Sequence, residues 1–177
     1  MSAYGNPRQG GIIALTLEEG DKLIGVELTD GQSDVLLGSK EGIVIRFSEE
    51  DARPIGRTAR GVRGISLSRT NEVIGMATIP HEAEASILTV TEGGFGKRTL
   101  ATEYRTQGRG GRGVISVKVT EKNGLAVSFH QVKDSDEIMI MTAEGKILRT
   151  KIGYLRDIGR NSQGVRLIDM EETDRVV

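Results

Sequence analysis

The sequence predicts an all-β fold, a propeller-like array of four-stranded blades, and three observations carry that prediction. A unit of about 51 residues repeats along the chain, short alternating apolar segments are punctuated by turn residues, and no stretch sustains a 3.6-residue apolar period. Glycine is the compositional mark of such a chain. It supplies 24 of 177 residues, about twice the ordinary ~7%, with three prolines and no low-complexity tract, as expected of turn residues in a β-rich fold.

Three anchors set the repeat. Gly42-Ile43-Val44-Ile45-Arg46-Phe47 returns as Gly94-Phe95-Gly96-Lys97-Arg98-Thr99 and as Gly145-Lys146-Ile147-Leu148-Arg149-Thr150. Gly61-Val62-Arg63-Gly64-Ile65 returns in the same phase at Gly113 and Gly164, with an earlier copy at Gly11. Leu23-Ile24-Gly25-Val26 returns as Val73-Ile74-Gly75-Met76 and as the terminal Arg175-Val176-Val177. One register for three anchors excludes coincidence, and the chain reads as a single domain, 1–177. Its units are approximately 1–22 (partial), 23–71, 72–123, 124–172 and 173–177 (partial), an incomplete array of about 3.5 repeats. A closed ring of blades usually needs more, so either the chain is a piece of a longer array or its open ends are capped by an unusual pairing.

Within each unit the elements follow from local chemistry. Ser86-Ile87-Leu88-Thr89-Val90-Thr91 alternates apolar and polar residues as a half-buried strand does. Lys40-Glu41-Gly42, Glu92-Gly93-Gly94, Ala143-Glu144-Gly145 and Asn123-Gly124 supply hairpin turns. The polar link from Ser48 to Arg60 accommodates a short helical turn capped by Ser48. Each repeat then offers about four strands, the content of one blade. Met139 and Met141 share one strand face and are expected in the core or between blades.

Composition narrows the function classes. No apolar run approaches the ~18 residues that span a bilayer, Met1 to Gly10 has no apolar signal core, and the absence of cysteine excludes disulfides, thiolate zinc and a thiol nucleophile. A reducing, cytoplasmic setting and no membrane partner are the expectation. The net charge of −1 hides a strong segregation. Three stretches in one repeat phase, 46–63, 97–112 and 146–166, hold sixteen Lys and Arg against five acidic residues. Stacked units would gather them into a positive rim, which is what a phosphate-backbone binder needs.

The candidate DNA-binding residues lie in those stretches: Arg46, Arg57, Arg60, Arg63, Lys97, Arg98, Arg105, Gln107, Arg109, Gly110, Gly111, Arg112, Gly113, Lys146, Arg149, Lys151 and Arg160. Arginine offers forked donors to phosphate, and adjacent glycines would let backbone amides approach the same oxygens. The bland alternative is that the loops are tight solvated turns serving solubility; three loops in phase weigh against it. Only six aromatic residues exist, too few for the stacking platforms of single-strand and RNA readers, so duplex is the expected ligand. With no recognition helix, bending or wrapping without base readout is expected. The acidic remainder, including Glu82 and Glu84, should stay clear of DNA.

Gln107-Gly108-Arg109-Gly110-Gly111-Arg112-Gly113 and the following Val114 to Gly124 closely resemble the C-terminal domain of bacterial DNA gyrase A. So do Gly159 to Val165, Gly93 to Thr99 and Thr58 to Ile65, and the resemblance covers essentially the whole chain. It implies a β-pinwheel of propeller-like blades that wraps duplex DNA on a basic outer edge and presents a crossing segment to a catalytic core. It also implies a noncatalytic part of a type IIA topoisomerase that introduces negative supercoils. The partners would be the rest of gyrase A and the gyrase B protein, with ATP and Mg used elsewhere in the enzyme and no cofactor in this chain. The family's first-blade box reads Gln-Arg-Arg-Gly-Gly-Lys-Gly. Here Gly108 and Arg112 depart from it, so the box is expected upstream and the chain is expected to hold the later blades.

Other chemistry fits poorly. Gly93 to Thr99 lacks the spacing of a phosphate loop, the GxGG at Gly108 to Gly111 has no strand-to-helix unit, and Asp134, Asp136 and Glu137 read as a solvated turn. His81 and His130 lack ligand partners in spacing, Tyr104 lies in a repeat linker, and the RGG at Arg109 belongs to an ordered repeat. Two alternatives to the gyrase reading stay open: the corresponding domain of topoisomerase IV, and a propeller-type protein-interaction module meeting an acidic partner.

Overall fold

A computed structural model describes residues 4–177 except Arg8 and Glu82. The chain is built on three hairpins at the repeat spacing: β1 (Ser33–Ser39) with β2 (Ile43–Ser48), β4 (Ser86–Thr91) with β5 (Phe95–Leu100), and β8 (Glu137–Met141) with β9 (Ile147–Lys151). Gly42, Gly94 and Gly145 take φ of 76°, 75° and 89° in the hairpin turns, the left-handed conformation that glycine adopts without strain. Each hairpin runs straight into a 3-10 turn, at Glu49–Asp51, Ala101–Glu103 and Ile152–Tyr154. Ser48 caps the first as expected, its Oγ accepting from the Glu50 amide at 3.3 Å. No helix among the described residues is long and apolar enough to cross a membrane.

The hairpins become four-stranded sheets by strand exchange. β3 (Val73–Pro80) pairs antiparallel with β1, and β6 (Val114–Ile115), which follows the next hairpin, pairs with β2. The second sheet repeats the plan: β7 (Ala126–Val132) pairs with β4, and β10 (Val165–Arg166) pairs with β5. The orders are β3-β1-β2-β6 and β10-β5-β4-β7. One sequence unit therefore does not make one blade. Units 23–71 and 72–123 contribute two strands each to the first sheet, and 72–123 and 124–172 two each to the second. At the third hairpin a single antiparallel bridge, Thr142 to Val176, marks where the third anchor begins to pair. The N-terminal copies of the anchors, at 11–15 and 23–26, form no strand, because no hairpin among the described residues precedes them to pair with.

Alternation along β2 distributes its side chains to two layers. Val44 joins Leu36, Ala77, Ile79, Ile87, Tyr104 and Phe129 between the first two sheets, while Ile45 and Phe47 pack with Ile65 on the opposite face. A further layer, including Leu88, Val90, Val132, Ile140 and Ile152, joins the second sheet to the third hairpin. The core thus lies between neighbouring sheets, as in a stacked repeat. On β8, Ile140 is buried but Met139 and Met141 are exposed, so of the two places expected for the methionine pair the core is excluded, and among the described residues no further sheet stands against them as a neighbouring blade would.

The cross-strand pair Gly38 and Gly75 makes room for Phe129. A Cβ on Gly38 would stand 2.5 Å from the Phe129 ring, and one on Gly75 would stand 2.6 Å from the Phe129 carbonyl oxygen. Gly38→Ala should therefore lower the unfolding free energy by about 1–3 kcal/mol, with Gly75→Ala at the upper end because a backbone atom cannot rotate away. Urea unfolding of both variants checks this; wild-type midpoints would refute the packing account.

Candidate nucleic-acid interface

The basic stretches form loops that leave each 3-10 turn and lie against the loop before them. The amides of Thr16, Ser66 and Lys118 donate to the carbonyls of Ala59, Gly111 and Ser162 at 3.4, 2.9 and 2.8 Å, the same contact one unit apart each time. Arginine repeats the connection. Arg57 Nη1 donates to the Ile13 carbonyl at 2.9 Å, Arg109 Nη1 to that of Arg63 at 2.6 Å, and Arg160 Nη1 to that of Ile115 at 2.9 Å. Arg109 also reaches the Asp51 carbonyl through Nε at 2.9 Å. The three loops are therefore hydrogen-bonded into one continuous row.

Several residues expected to touch DNA are instead part of that framework. Arg46 pairs with buried Asp34 at 2.7 Å and donates to the carbonyls of Ala101 and Tyr104 at 2.9 and 3.4 Å, fastening one unit to the next. Arg98 makes a bidentate pair with Asp157 at 2.8 and 3.0 Å and a further bond to Asp134. Burial by itself would lower the Arg98 pKa, but these hydrogen bonds and charges hold it above its ordinary value. Lys97 is only 1% exposed, and its Nζ donates to the carbonyls of Gly159, at 2.8 Å, and Arg160 and to Ser162 Oγ, at 3.3 Å. Gln107 donates its amide to the Arg46 carbonyl at 2.8 Å, and its Nε2 is buried without a partner. Arg46, Arg98 and Lys97 are thus already engaged by carboxylates and carbonyls inside the fold.

The glycines are accounted for in the same way. The Gly110 amide donates to the Gly64 carbonyl at 2.8 Å, the Gly111 carbonyl accepts from Ser66, and a Cβ on Gly113 would meet the Val44 carbonyl oxygen at 2.6 Å. Gly113 has φ of 74°, and Gly164, its counterpart one unit on, has φ of 81° and the same close approach to Gly96. These positions let β6 and β10 reach the preceding hairpin. They were expected to present amides to phosphate; the Gly110 amide is already taken.

Exposed cations remain along the row. Arg60 lies 3.3 Å from Glu18 at the surface, Lys146 donates to the Asp169 carbonyl at 2.7 Å, and Arg149 pairs with Glu137. Arg63, Arg105, Arg112 and Lys151 are exposed, and their side chains make no hydrogen bond or ion pair with any described residue. Arg53 and Arg156, absent from the sequence-derived candidates, share that state. Their signal was present in Arg53-Pro54-Ile55-Gly56-Arg57, Arg105-Thr106-Gln107-Gly108-Arg109 and Arg156-Asp157-Ile158-Gly159-Arg160, one Arg-x-x-Gly-Arg per unit. Tyr104 is buried, its hydroxyl 2.7 Å from Ser116 Oγ, and burial raises its pKa. Asp134 and Glu137 face arginines, and Asp136 accepts from the Lys133 amide at 2.8 Å. Glu84 is exposed, and Glu82 lies outside the described residues.

A family model described as the DNA gyrase C-terminal domain, a beta-propeller, matches residues 1–30, 33–80, 85–133 and 136–177. The chain belongs to that family. Two of its matched stretches each hold a hairpin and the strand that completes it, 33–80 with β1, β2 and β3 and 85–133 with β4, β5 and β7. DNA gyrase A of Salmonella typhimurium is 49% identical over 177 residues, all of this chain and 20% of that protein. The chain thus spans about a fifth of the length of this relative. Among solved structures, the C-terminal domain of DNA topoisomerase IV superposes with a TM-score of 0.90 at 28% identity, covering 98% of this chain and 54% of that one. The DNA gyrase A C-terminal domain superposes at 0.82 with 26% identity, covering 95% and 57%. The β-pinwheel expectation is thereby met, and the chain is of the gyrase A C-terminal domain type.

Proposed function

We propose that the chain is a noncatalytic duplex-DNA-binding and wrapping domain of DNA gyrase A. The observation that carries this reading is the hydrogen-bonded row of basic loops, in which Arg53, Arg63, Arg105, Arg112, Lys151 and Arg156 are exposed and unpaired among the described residues. Such a row neutralises phosphates and offers no base-reading element, so binding is independent of sequence and curvature of the duplex replaces base contacts. The identities of the relatives support the gyrase reading over the topoisomerase IV variant. In the whole enzyme the domain would serve negative supercoiling, with the gyrase B protein as partner and ATP, Mg and the DNA-cleaving residues outside this chain.

The test is affinity for a short linear duplex across a salt series. Six phosphate contacts predict a log-log slope of about −5, so raising salt fourfold weakens binding roughly a thousandfold, equally for unrelated sequences. Absence of binding at low salt, or a strong preference for one sequence, would overturn the proposal. Selective binding of an acidic protein in place of duplex would favour the interaction-module alternative.

A further inference from the structure

Each unit carries two arginines in the Arg-x-x-Gly-Arg frame, and their environments differ. The second, at 57, 109 and 160, is held by a carbonyl of the preceding loop. The first, at 53, 105 and 156, is exposed and unpaired among the described residues. At 105 and 156 its backbone is nevertheless fixed. Ahead of Arg105, the Tyr104 amide closes the 3-10 turn on Ala101 at 3.1 Å, and beyond it the Gln107 amide bonds the Arg46 carbonyl at 2.8 Å. Around Arg156, the Leu155 amide bonds Ile152 and the Ile158 amide bonds Arg98, both at 2.8 Å. Parallel bridges from Arg46 to Thr106 and from Arg98 to Asp157 lock both segments against the preceding hairpin.

Charge and space at these positions suit an incoming anion. Asp157, the acid adjoining Arg156, is engaged by Arg98 and does not neutralise its neighbour. Gly56, Gly108 and Gly159, between the two arginines, have open space where a side chain would stand. A guanidinium on a fixed backbone loses only side-chain freedom when it binds, and its fork matches phosphate oxygens.

Resting on the DNA-binding reading above, we infer that Arg53, Arg105 and Arg156 form the row that contacts phosphate, while Arg57, Arg109 and Arg160 are positioning residues that stack the loops. The spacing of the phosphate-contacting row is then set by the arginine-to-carbonyl contacts. DNA touches one arginine of each pair, and the other holds the register between units.

Two triple variants separate the roles, each measured by duplex affinity across a salt series and by thermal unfolding. Arg→Gln at 53, 105 and 156 should reduce the magnitude of the salt slope by about 3 and leave Tm within about 2 °C of wild type. Arg→Gln at 57, 109 and 160 should lower Tm by more than about 5 °C and change the slope less. If wild type binds and the first variant keeps its slope and affinity, the row is overturned alone. A second variant that loses the slope at unchanged Tm reverses the roles and overturns the partition. Wild type without salt-dependent binding overturns the DNA-binding reading and the row together.

Discussion

Arg46→Ala is expected to destabilise the protein by about 3–5 kcal/mol, lowering Tm by roughly 10 °C or more. Both ends of the pair are largely out of water: the side chains of Arg46 and Asp34 are 15% and 7% exposed. Removing the cation leaves the Asp34 carboxylate buried, with His81 at 3.2 Å as its one remaining ion-pair partner among the described residues, and also strips donors from the Ala101 and Tyr104 carbonyls. An exposed phosphate-binding arginine would cost almost nothing to remove. The double variant Arg46→Met, Asp34→Leu should recover most of the loss, because an apolar pair of similar volume avoids the buried charge. Calorimetry of the single and double variants decides: a single variant within about 1 kcal/mol of wild type returns Arg46 to the surface set.

Lys97→Met is expected to cost about 1.5–3 kcal/mol, since it removes the charged donor from the Gly159 and Arg160 carbonyls, which keep Ser162 Oγ at 3.2 Å and the Ser162 amide at 3.0 Å, and loosens the third loop from the second sheet. The same lysine supplies a pH signature. Burial first, and then the charge of Arg160, lowers its pKa to about 8 from the ordinary 10.5, against a smaller opposing effect of Glu103. Between these values the unfolded chain keeps a proton that the folded protein has shed, so wild-type stability gains with rising pH relative to Lys97→Met. Below about pH 8 both states are protonated and the difference is constant. Urea unfolding of both proteins from about pH 7 to about pH 10 measures it; a flat difference would show that the three acceptors hold the ammonium at its ordinary pKa.

Both residues are candidates for DNA contact in the sequence, yet the fold engages both internally, and the reason the sequence does not show this is specific. Counting charge by repeat phase identifies which loops are basic, and that count includes Arg46, Lys97 and Arg98 along with Arg105 and Arg112. It cannot say which cations are already neutralised. The acid that engages Arg98 lies 59 positions away, and the carbonyls that engage Lys97 lie 62 and 63 away, brought together by strand exchange between units. Glycine carried the same ambiguity. Gly113 beside Arg112 suggested an amide offered to phosphate, whereas its φ and the nearby Val44 carbonyl show a close approach of two strands. The exposed arginines at 53 and 156 were legible in the repeat, but only when aligned on the Arg-x-x-Gly-Arg frame.

By itself the sequence determined the repeat, the three hairpins, the glycines of their turns, the Ser48 cap and the gathering of positive charge into one phase. All of these depend on interactions within a few residues, where side-chain alternation and backbone conformation act directly. Only the tertiary structure decided that a blade is shared between units, that the core lies between sheets, that Met139 and Met141 face solvent, and which arginine of each pair is unoccupied. Those outcomes depend on β6 and β10 crossing to the preceding hairpin, a pairing of a few hydrogen bonds over a long sequence separation. Its stability comes from the packed layers on either side, and no local pattern of two-residue strands could have announced it.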